Sequence, residues 1–438
     1  MPLACTKHGL WLPKEARWPD DGLPGPQHFR MSNNHNDQPL ACVMGDMDLV
    51  WPLGLAGIPC VVVTGSRTPP VYSRFARTAL PWREFWEDGE NLVETLLRFG
   101  AAQPTPPVLF YEEDSQLLLL SRHRERLAQV FRFVVADAEL VEDLVDKARF
   151  QALAERKGLP VPATRRIRPA KGSVPVDLGL RFPVIIKPLT RDHLWTATGG
   201  EGKALSAESP EALRELWPRL AAANIDLLVQ EMVPGPETRI ESYHVYVDAE
   251  GGIVAEFTGR KIRTFPVALG HSTALTTTDA PDVLALGRKL VRTLDLRGVA
   301  KFDFKRASDD RLYLLEVNPR FNLWHHLGAV AGMNLPALVY ADMAGLPRPG
   351  ISPVPAGMCW CRPSQDWRAA KASGMSLLTW LPWALRCEAN SSLRLGDPMP
   401  CLRGEFYPYL RRVGGKVLRR ALRRPPHGAT LPPAKAKV

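Results

Sequence analysis

The sequence predicts an α/β protein that opens with a Rossmann-like parallel sheet and continues into a second unit built around a β-hairpin. Two patterns carry this prediction. From Leu40 onward, short apolar runs alternate with amphipathic helical segments, the signature of parallel strands covered on both faces. From Val299 to Phe321, the stretch VAKFDFKRASDDRLYLLEVNPRF alternates with a period of two on either side of Asp309-Asp310. Bulk composition agrees. With 438 residues, 45% hydrophobic and 23% charged, the chain is long enough for two or three domains with real cores. No apolar run approaches the roughly 18 residues of a membrane-spanning helix; the richest, SLLTWLPWAL, is short and contains Pro382.

In chain order, residues 1–38 are rich in Pro, Gly, Asn and His and lack periodicity, which predicts a disordered tail with Met31 as a candidate start. Lys7, Lys14, Glu15 and Arg17 interrupt any export signal, so a cytoplasmic protein is expected. Residues 39–136 supply four expected strands, LACVM, PCVVVT, PVLFY and FRFVV, with helices ENLVETLLRF and SQLLLLSRHRERLAQV between them. The first turn, Gly45-Asp-Met-Asp48, is not a dinucleotide fingerprint.

A second unit, 137–345, starts with a long helix, DAELVEDLVDKARFQALAERK, stopped by Gly158 and Pro160. FPVIIKP places Lys187 at the end of a short apolar strand, where a compact ammonium is a good point charge for phosphate oxygens. In TATGGEGKAL, Gly199, Gly200 and Gly202 permit either a loop with N–H groups aimed at phosphates or a plain hairpin turn. In TGRKIRTFPVALGHST, strict alternation puts Lys261 and Arg263 on one face and Arg260 on the other. Such a cationic face can hold a substrate carboxylate or a transferred phosphoryl group, or merely promote solubility.

The hairpin itself is the most telling segment. A two-residue turn at Asp309-Asp310 sets Asp303 opposite Glu316, with Lys301, Asp303 and Lys305 on one face of the first strand and Leu314, Glu316 and Asn318 on one face of the second. Like charges facing across a ladder are unfavourable unless something positive lies between them. Oxygen donors from Asp303, Glu316 and Asn318 suit Mg²⁺, which keeps substrate phosphates among its ligands. Arg320 could add a planar donor fork for a phosphoryl group. Leu312, Tyr313, Leu314, Leu315 and Val317 are apolar on both faces, as in a buried strand, which argues against a hairpin that meets only water. His325 and His326 follow closely and could meet substrate, but a metal role for them is not supported by any nearby pattern.

Residues 346–410 read as a small Trp-containing cap, and 411–438 as a basic tail. The run RRVGGKVLRRALRR holds seven cations and no anion and supplies most of the net charge of +10. Without it the body is near neutral, so nucleic-acid binding is not expected. The tail is a solvated terminus or a weak peripheral contact with an anionic membrane surface. The seven cysteines lack a C-x-x-C pair, which predicts free thiols.

The segments D-F-K and L-L-E-V-N-P-R-F resemble the metal-binding hairpin of the ATP-grasp superfamily, over about Leu40 to Gly345. NLWHHLGAVAGMNLPALVYADMAG is most similar to its carboxylate-amine ligases, a group that includes D-aspartate ligases; the superfamily also includes carbamoyl-phosphate synthase. The resemblance implies a Rossmann-like pre-ATP-grasp domain followed by a two-subdomain α+β ATP-grasp fold. It implies ATP with one or two Mg²⁺ ions, or Mn²⁺, and small-molecule carboxylate and amine substrates joined through an acyl phosphate. A regulatory ATP-binding protein, or a ligase using a thiol or bicarbonate, is the alternative. By the same resemblance, Lys147 and Lys187 reach nucleotide phosphate, the Gly199–Gly202 loop covers it, the backbone of Glu231, Met232 and Val233 reads the adenine edge, and Glu237 accepts the ribose hydroxyls. Asp303 stands where many relatives have Glu, which leaves the number of metal ions open. Neither the acid, the amine nor the oligomeric state is legible.

Overall fold

The computed structural model describes residues 38–65, 68–82, 85–173, 177–189, 204–267 and 270–410. The expectations for the two tails and for Gly199, Gly200 and Gly202 fall outside the described residues, apart from Gln38. The parallel sheet is present: Ala41–Met44 (β1), Cys60–Thr64 (β2), Ala76–Pro81 (β3) and Val108–Tyr111 (β4) pair in the order β3-β2-β1-β4. β1 and β4 are buried along their whole length, which is why they read as unbroken apolar runs. β3 is a mostly exposed edge, ARTALP, with no apolar signal to announce it. The run FRFVV, expected as a strand, makes only an isolated bridge from Arg132 to Val108; Phe131 and Val134 pack into the core instead.

The long helix expected after residue 137 is two helices, Ala138–Val145 and Lys147–Lys157. Asp146 between them is extended, and its carboxylate accepts from the N–H groups of Ala148 and Arg149. A side chain that caps a new helix N-terminus competes with continuing the old helix. The break makes Lys147 the first helical residue.

Two further sheets follow, antiparallel except for one parallel pair of strands at the edge of the larger. Thr164–Ile167 (β5), Val184–Pro188 (β6), Leu205–Ala207 (β7) and Leu227–Glu231 (β8) form the smaller, in the order β5-β8-β6-β7. Its own core contains Val184, Ile186 and Val229, with Leu213, Trp217 and Leu220 from helix Pro210–Ala223. The larger sheet has Ile240–Val247 (β9), Ile253–Phe265 (β10), His271–Thr278 (β11), Gly298–Arg306 (β12), Leu312–Asn318 (β13), Cys359–Cys361 (β14) and Ala389–Asn390 (β15). The order is β13-β12-β9-β10-β11-β14-β15, and its core is continuous with that of the parallel sheet. The segment after residue 345 therefore adds two strands to this sheet.

Arg263 ties that segment down. Its Nε and Nη2 donate to the two carboxylate oxygens of Asp366 at 2.8 and 2.7 Å, and its guanidinium lies 4.0 Å from the Trp383 ring centroid. Asp366 is fully buried and also accepts from Thr273 Oγ1 and Trp380 Nε1. Replacing Asp366 by Ala strands a buried guanidinium, so we expect a loss of about 3 kcal/mol, read as a lower midpoint in denaturant unfolding.

Candidate active site

The site is built on the hairpin of β12 and β13. Asp303 pairs with Glu316 and Lys301 with Asn318, as the alternation requires. The route to that register differs from the expected two-residue turn. Arg311 C=O accepts from Ala307 N–H, Asp310 takes a positive φ of 61°, and Arg306 pairs with Leu312, which makes the loop one residue longer than expected. A bulge at Leu315 then restores the register before Glu316. Leu314 consequently pairs with Phe304 and is buried on the opposite face from Asp303, a correction to the expected alternation. β13 is also the sheet edge, with Glu316 exposed over 57% of its side chain, so the strand is not buried on both faces.

Asp303 is 1% exposed. Its Oδ2 accepts from Lys301 Nζ at 2.8 Å, and Lys261 Nζ lies 3.5 Å away. Burial pushes the Asp303 carboxyl up, but Lys261 and Lys301 outweigh it and hold the group well below the usual carboxylate range. Burial likewise pulls Lys261 down, and Asp303, Glu316 and Glu237 outweigh it, leaving the ammonium above the usual lysine range. Lys301 Nζ is also 3.8 Å from Glu316 Oε1, so the positive charge between the two carboxylates is Lys301. Like-charge repulsion alone therefore does not demand a metal.

The donor chemistry nevertheless fits one. The second carboxylate oxygen of Asp303, Oδ1, is buried without a hydrogen-bond partner, a costly state for an ionised group. Glu316 is its cross-strand neighbour, and Asn318 Nδ2 donates to Glu316 Oε1 at 3.1 Å. Among the described residues no cluster of three or more Asp, Glu, His or Cys forms a closed cage. Two carboxylates and a carboxamide suit Mg²⁺, which fills its remaining positions with water and phosphate oxygens.

The hairpin faces the smaller sheet across a cleft lined by Lys147, Lys187, Gln230, Glu316 and Asn318. Lys147 Nζ donates to the Pro188 carbonyl at 2.6 Å, and Lys187 Nζ to Gln230 Oε1 at 2.9 Å. Burial pulls the Lys187 ammonium below the usual lysine range, with Glu316 opposing. At the strand end, Arg181 clamps the Glu231 carboxylate through Nε and Nη2, and the N–H groups of Glu231 and Met232 donate to the carbonyls of Ala163 and Pro183. Val233 follows directly in the chain. Lys305 Nζ donates to the carbonyls of Gly235 and Pro236; burial pulls its ammonium below the usual lysine range, with Glu237 opposing, and Glu237 also favours the charged form of Lys261.

Arg320 is oriented by four groups: Asp114, the carbonyls of Glu112 and Phe321 at 2.8 and 3.4 Å from Nη1, and Asn318 Oδ1 at 3.2 Å from Nη2. Burial, then neighbouring Asp46, push the Glu112 carboxyl up to about 8, while its Oε2 accepts from Asp46 N–H. A carboxyl raised in the folded state binds more protons there, so its contribution to stability declines as pH rises from about 4 toward 8. Glu112→Gln removes that penalty; we expect it to exceed the parent in thermal stability above pH 8 by on the order of 1 kcal/mol, with no difference below pH 4.

Two expectations about cationic residues are overturned. A bulge at Ile262 shifts the pairing from Lys261 opposite Leu275 to Arg263 opposite Ala274, which turns Arg263 to the other face and onto Asp366. Of the three cations of β10, Lys261 reaches Asp303, while exposed Arg260 lies cross-strand from Glu241, on the face away from Asp303. His325 and His326, each 2% exposed, sit in the core beside Phe321 and Trp51. Sequence reasoning placed Lys301 beside Asp303 without giving it a role, and missed Gln230 and Asp114. Lys301 was legible as the K-x-D-x-K alternation that puts it beside Asp303; the other two meet their partners only in the fold.

The fold and this cleft are similar to those of ATP-grasp proteins, the class of fold that this chain shares. Within it, residues 224–359 match the family described as ATP-grasp in the biosynthetic pathway with Ter operon. The chain is 24% identical over 263 residues to a D-aspartate ligase of Enterococcus faecium, covering 57% of this chain and 62% of that relative. Thus it spans about three fifths of that relative's length. Its fold is similar to a biotin carboxylase from Campylobacter jejuni in complex with an ATP analogue (TM-score 0.56, 11% identity, 74% of this chain and 75% of that one). It is similar as well to an L-amino acid ligase from Bacillus licheniformis (TM-score 0.53, 13% identity, 70% and 74%).

Proposed function

We propose that this protein is an ATP-dependent ligase that activates a carboxylate as an acyl phosphate and passes the acyl group to an amine. The observation that carries the reading is the buried, unpartnered oxygen of Asp303 beside Glu316 and Asn318, in a cleft lined with lysines. Asp303, Glu316 and Asn318 would hold the metal. A divalent ion there neutralises charge on the β- and γ-phosphate oxygens of ATP.

The chain's own residues do the rest. Lys147 and Lys187, each tethered to the smaller sheet by a hydrogen bond, place fixed positive charge at the phosphates. Because the N–H groups of Glu231 and Met232 are taken within the fold, reading of the base edge falls to their carbonyls and to Val233. Glu237, beside Lys261 and Lys305, is placed to accept ribose hydroxyls. Arg320, held by Asp114, Glu112 and Asn318, presents its fork to the transferred phosphoryl group and to the oxyanion formed when the amine attacks. Lys261 is reserved for Asp303, and Arg260 and Arg263 have no part in the chemistry.

The likeness to ligases named for amino acids supports an amine acceptor. The deciding measurement is ADP release with Mg²⁺ across amino acids and uronic acids, each offered with amines, thiols and bicarbonate. Release that requires both a carboxylate and an amine is the expected result. Release driven by bicarbonate or thiol alone, or ATP binding without turnover, contradicts the reading.

A further inference from the structure

The nucleotide cleft accounts for the phosphates and the metal. It leaves open where the amine enters and what removes its proton. In an open parallel sheet, ligands settle beyond the carboxyl ends of two neighbouring strands whose connections leave in opposite directions. Here those strands are β1 and β4, because β2 lies on one side of β1 and β4 on the other. β1 runs into Gly45-Asp46, and β4 into Glu112. The crevice adjoins the hairpin, since Arg320 Nη1 donates to the Glu112 carbonyl at 2.8 Å.

Glu112 lies across the two strand ends. Its Oε2 accepts from Asp46 N–H at 2.6 Å, and a Cβ on Gly45 would come within 2.8 Å of the same oxygen, so glycine is what lets the carboxyl lie there. Asp46 is exposed, and Glu112, although enclosed by the fold, keeps part of its surface open, so a ligand can reach both. The charge around them is mainly negative. Asp46 and Asp48 both act on Glu112, and Glu405, from the C-terminal segment, is near enough to feel the same two acids and Arg362. Arg320, the cation that faces Glu112, is already engaged with Asp114.

An independent observation points the same way. Among the described residues neither ring nitrogen of His326 has a hydrogen-bond partner, although the side chain is 2% exposed, and its Nδ1 lies 3.7 Å from Asp48 Oδ1. A buried imidazole without partners is costly unless a further polar group comes to it. On the far side, Asp48 Oδ1 accepts from Trp360 Nε1 of β14 at 2.8 Å, and Glu405 Oε1 accepts from Ser392 Oγ at 3.2 Å. The C-terminal segment thus walls the crevice with polar groups.

The chemistry selects the ligand. An ammonium does not attack an acyl phosphate; it must first lose a proton, and a base that titrates near neutral pH is suited to take it. Burial, then Asp46, push the Glu112 carboxyl up to about 8, with Arg320 opposing. We propose that the crevice at the ends of β1 and β4 is the acceptor site, which takes a protonated amine, and that Glu112 is the base that deprotonates it. This inference rests on the ligase reading. The ammonium gives one proton to the Glu112 carboxylate, and the freed lone pair forms the C–N bond to the acyl carbon. The bond from that carbon to the phosphate oxygen breaks, and its electron pair leaves with phosphate, which takes up a second proton from the nitrogen. Arg320, bonded to the Glu112 backbone, keeps the base beside the group that meets the oxyanion.

The test separates the two half-reactions in Glu112→Gln. Hydroxylamine is neutral near pH 7, needs no base and captures an acyl phosphate as a hydroxamate, whereas an amino-acid amine enters as an ammonium. With the acid and the amino acid that give most ADP release, the variant is expected to keep hydroxamate formation within about twofold of the parent and to lose amide formation by about 10²-fold or more. Amide formation by the parent levels off above about pH 8, while the variant keeps climbing with the free-amine fraction, about tenfold per pH unit. The thermal midpoint of the variant matches or exceeds that of the parent, which sets a folding defect apart. Amide formation within a few-fold of the parent overturns the inference and leaves the ligase reading standing. Equal loss of hydroxamate and amide also overturns it, by placing Glu112 in the first half-reaction. A parent that makes neither product removes the ligase reading and this inference with it.

Discussion

Asp303→Asn is expected to cut the proposed ligation sharply and to lower stability at once. The carboxylate is buried and serves two ammonium groups, Lys301 at 2.8 Å and Lys261 at 3.5 Å. A neutral carboxamide of the same shape leaves both lysines facing an uncharged partner in a desolvated position. Breaking one member of such a buried charge cluster costs about 3–5 kcal/mol. It also removes the negative charge and one of the two oxygens that the lysines and the metal would divide between them, and we expect ADP release to fall by about 10²–10³-fold or more.

The two effects separate in the double variant Asp303→Asn, Lys301→Met. Removing the stranded cation recovers part of the stability and none of the activity, a non-additivity that a thermodynamic cycle reads directly. The pH dependence is set by sign. Asp303 is depressed in the folded state, so its stabilisation is fully present above the ordinary carboxylate range, near pH 4, and is lost as pH falls below it. The stability gap between parent and Asp303→Asn therefore narrows in acid. A gap that is constant from neutral pH down through the acid limb contradicts the ion-pair assignment.

Glu316→Gln gives the complementary result: turnover lost and fold untouched. Its side chain is 57% exposed and its nearest cation, Lys301, is 3.8 Å away, which is worth little to stability in water. The thermal midpoint should match the parent. ADP release in the presence of both substrates should drop by about 10²–10³-fold, because the cross-strand partner of Asp303 is, among the described residues, one of two carboxylates placed for the ion. Substantial ligase activity in this variant removes Glu316 from the site. Wild-type kcat with a raised Mg²⁺ requirement keeps it there as a binding ligand.

Much of the architecture was legible because it rests on local periodicity. β1, β2 and β4 announce themselves as fully apolar runs, and Lys187 as the lysine that ends one. β3 was not legible, since an exposed edge strand carries no burial pattern, and FRFVV misled because apolar residues packing as a loop look the same as a strand. The Asp146 break was visible only as a capping residue inside an otherwise helical stretch.

Along one strand, side-chain direction is a property of the chain itself, and that is why alternation alone sets Asp303 and Glu316 face to face. The facing survives in the folded protein because a longer loop and a bulge at Leu315 cancel. Neither the bulges nor the partners follow from sequence. The shift at Ile262 sends Arg263 to Asp366, 103 residues away, and so withdraws from the site a cation that alternation places in it. Lys301 and Lys261 come to share one carboxylate oxygen only when β10, β9 and β12 lie side by side. Which charge neutralises which is settled by distances between distant segments, and those exist only once the sheet has been assembled.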